Sequence, residues 1–308
     1  MTPDPIFEGD IAAAAQLACL LEASAPKPGN VSPGRHFADT RYEDFLASAA
    51  AIGPAFAGAA ACPVGTTVRA AIEATSRWSR SNTNLGMVLL LAPLARAAFD
   101  LGSTSPAEAG SPSAERLRDA LRQVLDRTSV EDARNVYAAI RRAHPGGLGR
   151  ADAQDVSGEP TMTLLEVMRL AAERDSIARE YATAFAITFD LAAPALERAR
   201  TGGLAWDAAV VETFLIVLAA HPDTHIARRA GAELASAVSA RARGVLNAGG
   251  VRTRDGREAL QEMDSALRAG HNTASPGTTA DLTAAAIFVV LLAGGWGTDE
   301  GGRHAATR

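Results

Sequence analysis

Apolar residues return every three or four positions through almost the whole chain, and they nowhere alternate over a run bounded by hairpin turns. This periodicity constrains the fold more than any other feature. It predicts helices over Ile11–Leu21, Tyr42–Ile52, Val64–Trp78, Leu85–Leu101, Ala114–Leu125 and Val130–Ala143. The pattern resumes over Leu164–Ala172, Ser176–Phe189, Trp206–Ala219, Thr224–Ala242, Arg257–Ala269 and Thr278–Leu292. The expected fold class is all-α, a multi-helix orthogonal bundle in a single compact domain. A chain of 308 residues can bury a sizeable core. Aromatic residues make up only 5%, so Ala, Leu, Val and Ile must build most of it.

The domain is expected over residues 1–296, with the tail "GTDEGGRHAATR" (297–308) disordered. Two loops interrupt the helices. "GSTSPAEAGSPS" (102–113) reads as a solvated linker, and "PGGLGRADAQDVSGEP" (145–160) as a longer loop with three acidic side chains. The formal net charge of −5 argues against a nucleic-acid partner, which would call for a basic face. The N-terminus has neither the basic nor the apolar region of a signal peptide. The apolar run Leu282–Leu292 is too short to span a bilayer, so no membrane association and a cytoplasmic location are expected. Cys19 and Cys62 form no C-x-x-C and read as buried small hydrophobes.

Polar residues gather where helices begin or end. Around "PKPGN" lie Glu22, Lys27, Asn30 and Asp39, and Lys27 is the only lysine in a chain that otherwise uses arginine. Two prolines fix the backbone on either side of it. A rigid turn is one reading; an ammonium held toward a phosphate is the other. "SNTNLG" brings Asn82 and Thr83 to the start of an apolar helix, as caps or as an anion cradle. "HPDTHIARRAG" supplies Asp223, Arg228 and Arg229. Its His221 and His225 are separated by Pro222, which makes a helical metal pair a poor reading. "SPGTTADL" opens the last helix with Thr278, Thr279 and Asp281. No G-x-x-x-x-G-K-[ST], G-x-G-x-x-G in a strand–helix context, or G-x-S-x-G occurs.

In this order the clusters resemble the triphosphoribosyl-dephospho-coenzyme A synthase family. The matching pieces are Glu22 with PKPG, Asp39 with "EDF" and "SA", Asn82-Thr83 with Gly86, and Asp223-Thr224 with Arg229 and Gly231. "GGVRT", Asp264 and SPG-x-x-ADL complete the set. The family's pattern has N-T-H-K-G where this chain has Asn84 and Leu85, and SPGGSADL where it has Thr278 and Thr279. Its histidine lies two before the aspartate, where this chain has Phe37. Residues 133–180 depart further, apart from Arg174. This looks like a divergent branch, similar to relatives in organisms with methanopterin-type one-carbon metabolism.

The resemblance implies an all-α pentosyltransferase that moves the triphosphoribosyl unit of ATP to the 2′-hydroxyl of dephospho-coenzyme A and releases adenine. It implies ATP as substrate, Mg²⁺ on the triphosphate, and a product used downstream by acyl carrier proteins. Asp39, Asp223 and Asp281 would be catalytic. Lys27, Asn30, Asn82, Thr83, Arg229, Thr278 and Thr279 would bind the nucleotide, and Glu22, Asp223 and Asp281 the metal. Cleaving a C1′–N9 bond builds positive charge on the sugar, which suits a site rich in carboxylates. The same scaffold could serve another acceptor, a hydrolase, or a binding protein without chemistry.

Overall fold

The computed structural model describes residues 8–104, 113–269 and 273–296. The first half contains α1 (Glu8–Ser24), α2 (Tyr42–Ala51), α3 (Gly53–Ala57), α4 (Val64–Thr75), α5 (Leu85–Thr104), α6 (Ala114–Asp126) and α7 (Val130–Ala143). The second contains α8 (Leu164–Ala171), α9 (Ser176–Ala182), α10 (Ala193–Thr201), α11 (Trp206–Ala220), α12 (Thr224–Ala230), α13 (Ala232–Asn247), α14 (Arg254–Arg268) and α15 (Gly277–Leu292). A π-helical segment, Ile187–Ala192, leads into α10. Among the described residues the only β-pairing is one isolated bridge, Ser32 to Arg35. The all-α expectation holds. The 297–308 tail and most of the 102–113 linker lie outside the described residues.

Helix α15 is apolar around its whole circumference, and a helix of that kind has to be surrounded. From Thr278 to Leu292 every residue except Asp281 is buried. Helices α1, α5, α10 and α11 and the π segment pack around it. Helix α5 is long and apolar enough to cross a bilayer by length and composition. Its apolar stretch is 72% buried, as the core helix of a globular protein would be.

Pro93 lies inside α5 and has no N–H to give the Leu89 carbonyl one turn earlier. Tyr181 of α9 takes that place. Its ring is 1% exposed, and its hydroxyl donates to the Leu89 carbonyl at 2.6 Å.

The structure corrects two helix predictions. Ser176–Phe189 is not continuous: after α9 the chain turns through Ala184 and Phe185 with φ of 49° and 60°. The buried Glu180 carboxylate then takes the N–H groups of Ile187 (2.8 Å) and Thr188 (2.9 Å), starting the π segment. Burial pushes Glu180 up to about 7. Thr224–Ala242 likewise divides into α12 and α13 at Gly231, whose φ is 95°. Local backbone conformation, which periodicity does not report, sets both breaks.

Candidate active site

The site is assembled where the C-terminus of α1 meets the N-termini of α5, α12 and α15. Pro26 and Pro28 stop α1, and the turn that follows is pinned by α14. There Asp264 accepts the Gly29 N–H at 2.8 Å and the Arg268 guanidinium at 2.9 Å. Gly29 has φ of 72°, a conformation that glycine adopts without a Cβ penalty.

Inside that turn Lys27 is 1% exposed. Its ammonium pairs with Glu22 Oε1 at 2.9 Å and donates to the carbonyls of Glu22 and Ala25. An ammonium has three protons to donate, and all three are used. Lys27 is absent from the cavity wall, which Glu22 reaches. This corrects the expectation of a phosphate contact: a lysine spent on the exposed carbonyls of a helix end and a buried carboxylate has no donor left.

Asp223 is also committed. One oxygen accepts the Ile226 N–H at 3.0 Å and caps α12; the other accepts the N–H and hydroxyl of Thr279, each at 2.7 Å. Both residues lie behind the wall rather than on it. The expected catalytic and metal-binding role of Asp223, and the nucleotide-binding role of Thr279, therefore give way to joining α12 to α15. Asp223→Asn would set an amide N–H against Thr279 and leave buried donors unmatched. A loss of about 1–3 kcal/mol is expected, read as a fall in unfolding free energy in urea.

Asp281 differs from Asp223 in its partners and its exposure. It is half-buried, opens onto the cavity, and has no hydrogen-bond partner among the described residues. Burial, followed by the charges of Glu22 and Asp223, raises it well above the usual carboxylate range. Gly86, in the first turn of α5, is what lets it sit there, because a Cβ at residue 86 would overlap the Asp281 carboxylate. Gly86→Ala is therefore expected to displace Asp281 and cut turnover by about tenfold or more, with a melting temperature close to that of the parent. Steady-state kinetics beside thermal melts would check it.

The cavity has a volume of about 330 Å³. Its wall carries Glu22, Asn30, Asp39, Asn82, Thr83, Arg229, Thr278 and Asp281 from the predicted set. Asn82 caps α5 by accepting the Leu85 N–H at 3.1 Å. The Thr83 and Ser48 hydroxyls share a hydrogen bond of 2.5 Å, and Thr278 accepts from Thr224 at 3.2 Å. Asp39 stands exposed at the rim. Asn84 Oδ1 is buried on the same wall with no partner among the described residues.

Arg80, Arg228 and His225 also line the cavity: sequence reasoning missed the first, gave the second no role and weighed the third only as half of a metal pair. The adjacent arginines of "HIARRAG" were the available signal, although they also fit a solvated helix face. Arg228 is anchored by Asp175 at 3.3 Å. Burial, and then the charges of Arg228 and Arg229, push His225 down to about 4, so its ring is neutral at pH 7.

A second cavity, of about 560 Å³, adjoins the first. The two share Asn82, Leu85, Gly86, His144, Pro145, Arg228 and Asp281. Its other walls come from α7, α8, α9 and the 145–160 loop. Asp155 braces that loop by accepting the N–H groups of Ala151 (2.7 Å) and Ser157 (2.9 Å).

No group of three or more His, Cys, Asp or Glu side chains able to hold a metal occurs among the described residues. The expected trio of Glu22, Asp223 and Asp281 is thus reduced to Glu22 and Asp281. Magnesium ordinarily uses one or two carboxylates together with substrate phosphates, so a single carboxylate of this pair suffices for an ion that arrives on a polyphosphate.

The chain resembles several known proteins. A protein from Pseudomonas savastanoi pv. phaseolicola named as a 2-(5''-triphosphoribosyl)-3'-dephosphocoenzyme-A synthase is 37% identical over 113 residues, 36% of this chain and 38% of that one. A Pseudomonas aeruginosa protein of the same name is 40% identical over 106 residues, 33% of this chain and 36% of that one. The matched segments thus span little more than a third of these relatives. The crystal structure of an Archaeoglobus fulgidus protein, named as a triphosphoribosyl-dephospho-coA synthase, superposes with a TM-score of 0.61 at 29% identity. It covers 81% of this chain and 99% of that one. The model of one family, described as ATP:dephospho-CoA triphosphoribosyl transferase, matches residues 8–300. With that match running through every helix that builds the two cavities, the chain belongs to the ATP:dephospho-CoA triphosphoribosyl transferase family.

Proposed function

We propose that this protein transfers the triphosphoribosyl unit of ATP to the 2′-hydroxyl of dephospho-coenzyme A and releases adenine. The observation that carries the reading is the pair of adjoining cavities with Asp281 on their common wall. A transfer between two bound molecules needs two compartments and a base where they meet.

The 330 Å³ cavity suits the donor. Arg80, Arg228 and Arg229 supply positive charge, and the N-termini of α5 and α15 open beside them. Glu22 would hold a Mg²⁺ ion carried in on the triphosphate, and the ion would offset phosphate charge there, which leaves the Asp281 carboxylate free to act as the base. Lys27 acts at one remove by fixing the Glu22 carboxylate. Asp39, at the rim, is left with a part in admitting ligand.

In the reaction the acceptor oxygen bonds to C1′ of the ATP ribose as the C1′–N9 bond breaks. The electron pair of that bond leaves with adenine, which takes a proton at N9 from water, and the acceptor's hydroxyl proton passes to Asp281, which returns one to solvent. Burial and the charge of Glu22 raise this carboxyl, which makes it a stronger proton acceptor than an ordinary carboxylate.

The test is incubation with ATP, Mg²⁺ and dephospho-coenzyme A, with adenine followed by chromatography and the product by mass. Adenine release that depends on the acceptor is expected. Release without an acceptor would indicate a hydrolase, and no release would sink the reading. The apolar cavity draws on residues 136–178, within the stretch where the synthase resemblance fades. A different acceptor handled by the same chemistry is therefore the second reading, and other alcohols in the same assay would reveal it.

A further inference from the structure

The larger cavity differs in kind from the smaller one. Its walls are mostly aliphatic, with Val136, Ile140, Val167, Met168 and Ile177 among them. Two large apolar side chains on its lining, Leu148 and Leu170, are 47% and 52% exposed. Exposed leucines beside an apolar chamber mark an entrance for a ligand with apolar surface of its own. A triphosphate would lose its hydration here without regaining it from the walls. Yet the chamber is not wholly apolar. Arg174 lines it with an exposed guanidinium that has no ion-pair partner among the described residues, whereas Arg141 is tied to the Val156 carbonyl at 2.8 Å. One uncommitted cation beside an aliphatic trough fits an extended, amide-and-alkyl arm that ends in a phosphate.

We propose that this chamber is the acceptor subsite and that it takes the phosphopantetheine arm of the acceptor, with Arg174 receiving the arm's phosphate. The assignment rests on the transferase reading above for the identity of the acceptor. It places the acceptor's ribose at the shared wall, where Asp281 and Arg228 face both compartments. Arg174 thereby becomes a specificity-determining residue, selecting acceptors whose arm carries a phosphate. Ala171, at the end of α8, sits on the same lining and sets the room available to the arm.

Two ligands separate this proposal from the reading beneath it. The first is 4′-phosphopantetheine alone, whose binding is followed by saturation-transfer NMR and calorimetry without any chemistry. The variants are Arg174→Glu, at an exposed side chain, and Ala171→Trp, which fills the trough. Each is expected to weaken 4′-phosphopantetheine binding by about tenfold or more, the scale of one charge-assisted contact, while ATP–Mg²⁺ affinity stays within about twofold. Circular dichroism reports whether Ala171→Trp folds; if it does not, Arg174→Glu decides alone. No detectable binding of 4′-phosphopantetheine to the parent would overturn the proposal, as would unchanged binding in the folded variants. An equal loss of ATP affinity would also overturn it. The second ligand is dephospho-coenzyme A in the adenine-release assay. Failure there with the arm still binding removes the transferase reading and leaves the subsite standing.

Discussion

Lys27→Ala should destabilise the fold by about 3–5 kcal/mol, because it strands a buried carboxylate. Glu22 is 2% exposed and Lys27 1%. Burial raises the Glu22 carboxyl and the Lys27 charge, first among the opposing influences, draws it back down. Without the ammonium, Glu22 must take up a proton or remain charged in an apolar setting. The carbonyls of Glu22 and Ala25, at the C-terminal end of α1, lose their donor as well. Lys27→Arg should not rescue the loss, since a planar guanidinium cannot direct three donors into the space of an ammonium. Lys27→Met combined with Glu22→Gln should recover a large part of the stability, although not activity. Urea unfolding across this cycle reads the coupling directly. A stable Lys27→Ala protein impaired only in ATP binding would return the lysine to the phosphate contact that its sequence setting suggests.

Asp281→Asn should abolish measurable turnover, a fall of about 10²–10⁴-fold, while leaving the protein as stable as its parent or more so. The stability half follows from linkage. Asp281 has a folded-state pKa raised above its unfolded value. Its contribution is fully present below the unfolded pKa and is lost as pH rises through the folded one. At neutral pH, above the unfolded pKa, the parent therefore bears the cost of a carboxyl that ionises less readily folded than unfolded, which asparagine removes. The variant's advantage in melting temperature should shrink as the medium is acidified. The activity half carries its own pH signature. The parent's kcat/KM should climb with pH through the raised Asp281 pKa, because only the ionised carboxylate can accept the acceptor's proton. A variant that kept turnover, or melted well below the parent at pH 7, would assign Asp281 to the fold instead.

The helical architecture was legible because α1, α5, α11 and α15 carry so much apolar surface that no other element type could bury it. Breaks within helices were not. Gly231 and the Ala184–Phe185 turn depend on which backbone groups find partners, and the Glu180 carboxylate that organises the second turn lies in an unremarkable helical stretch. At the site, sequence reasoning collected segments that line one cavity but could not tell a residue on the wall from one behind it. Asp223 and Asp281 look alike as acidic residues at helix starts. Three hydrogen bonds absorb the first, and the second has none among the described residues. Lys27 attracted notice as the sole lysine, and its rigid setting proved to serve the carboxylate in front of it. The cavity's cations reside in arginines, which a chain with so many of them does not advertise. Gly86 stood in the family pattern, but nothing in the sequence says that its missing side chain makes room for the Asp281 carboxylate.

The bond from Tyr181 to the Leu89 carbonyl bears on how such a core can change over generations. Pro93 and Tyr181 are an interdependent pair, and the order of replacement is dictated by lone pairs. A carbonyl can receive two donors, so exchanging the proline for a residue with an N–H leaves Leu89 satisfied while the tyrosine is still present. Exchanging the tyrosine first strands the carbonyl in the interior. Lineages can therefore abandon the proline and then the tyrosine, or acquire the tyrosine and then the proline. Any other order of steps passes through a damaged ancestor, so the history of α5 runs along one path that can be travelled either way.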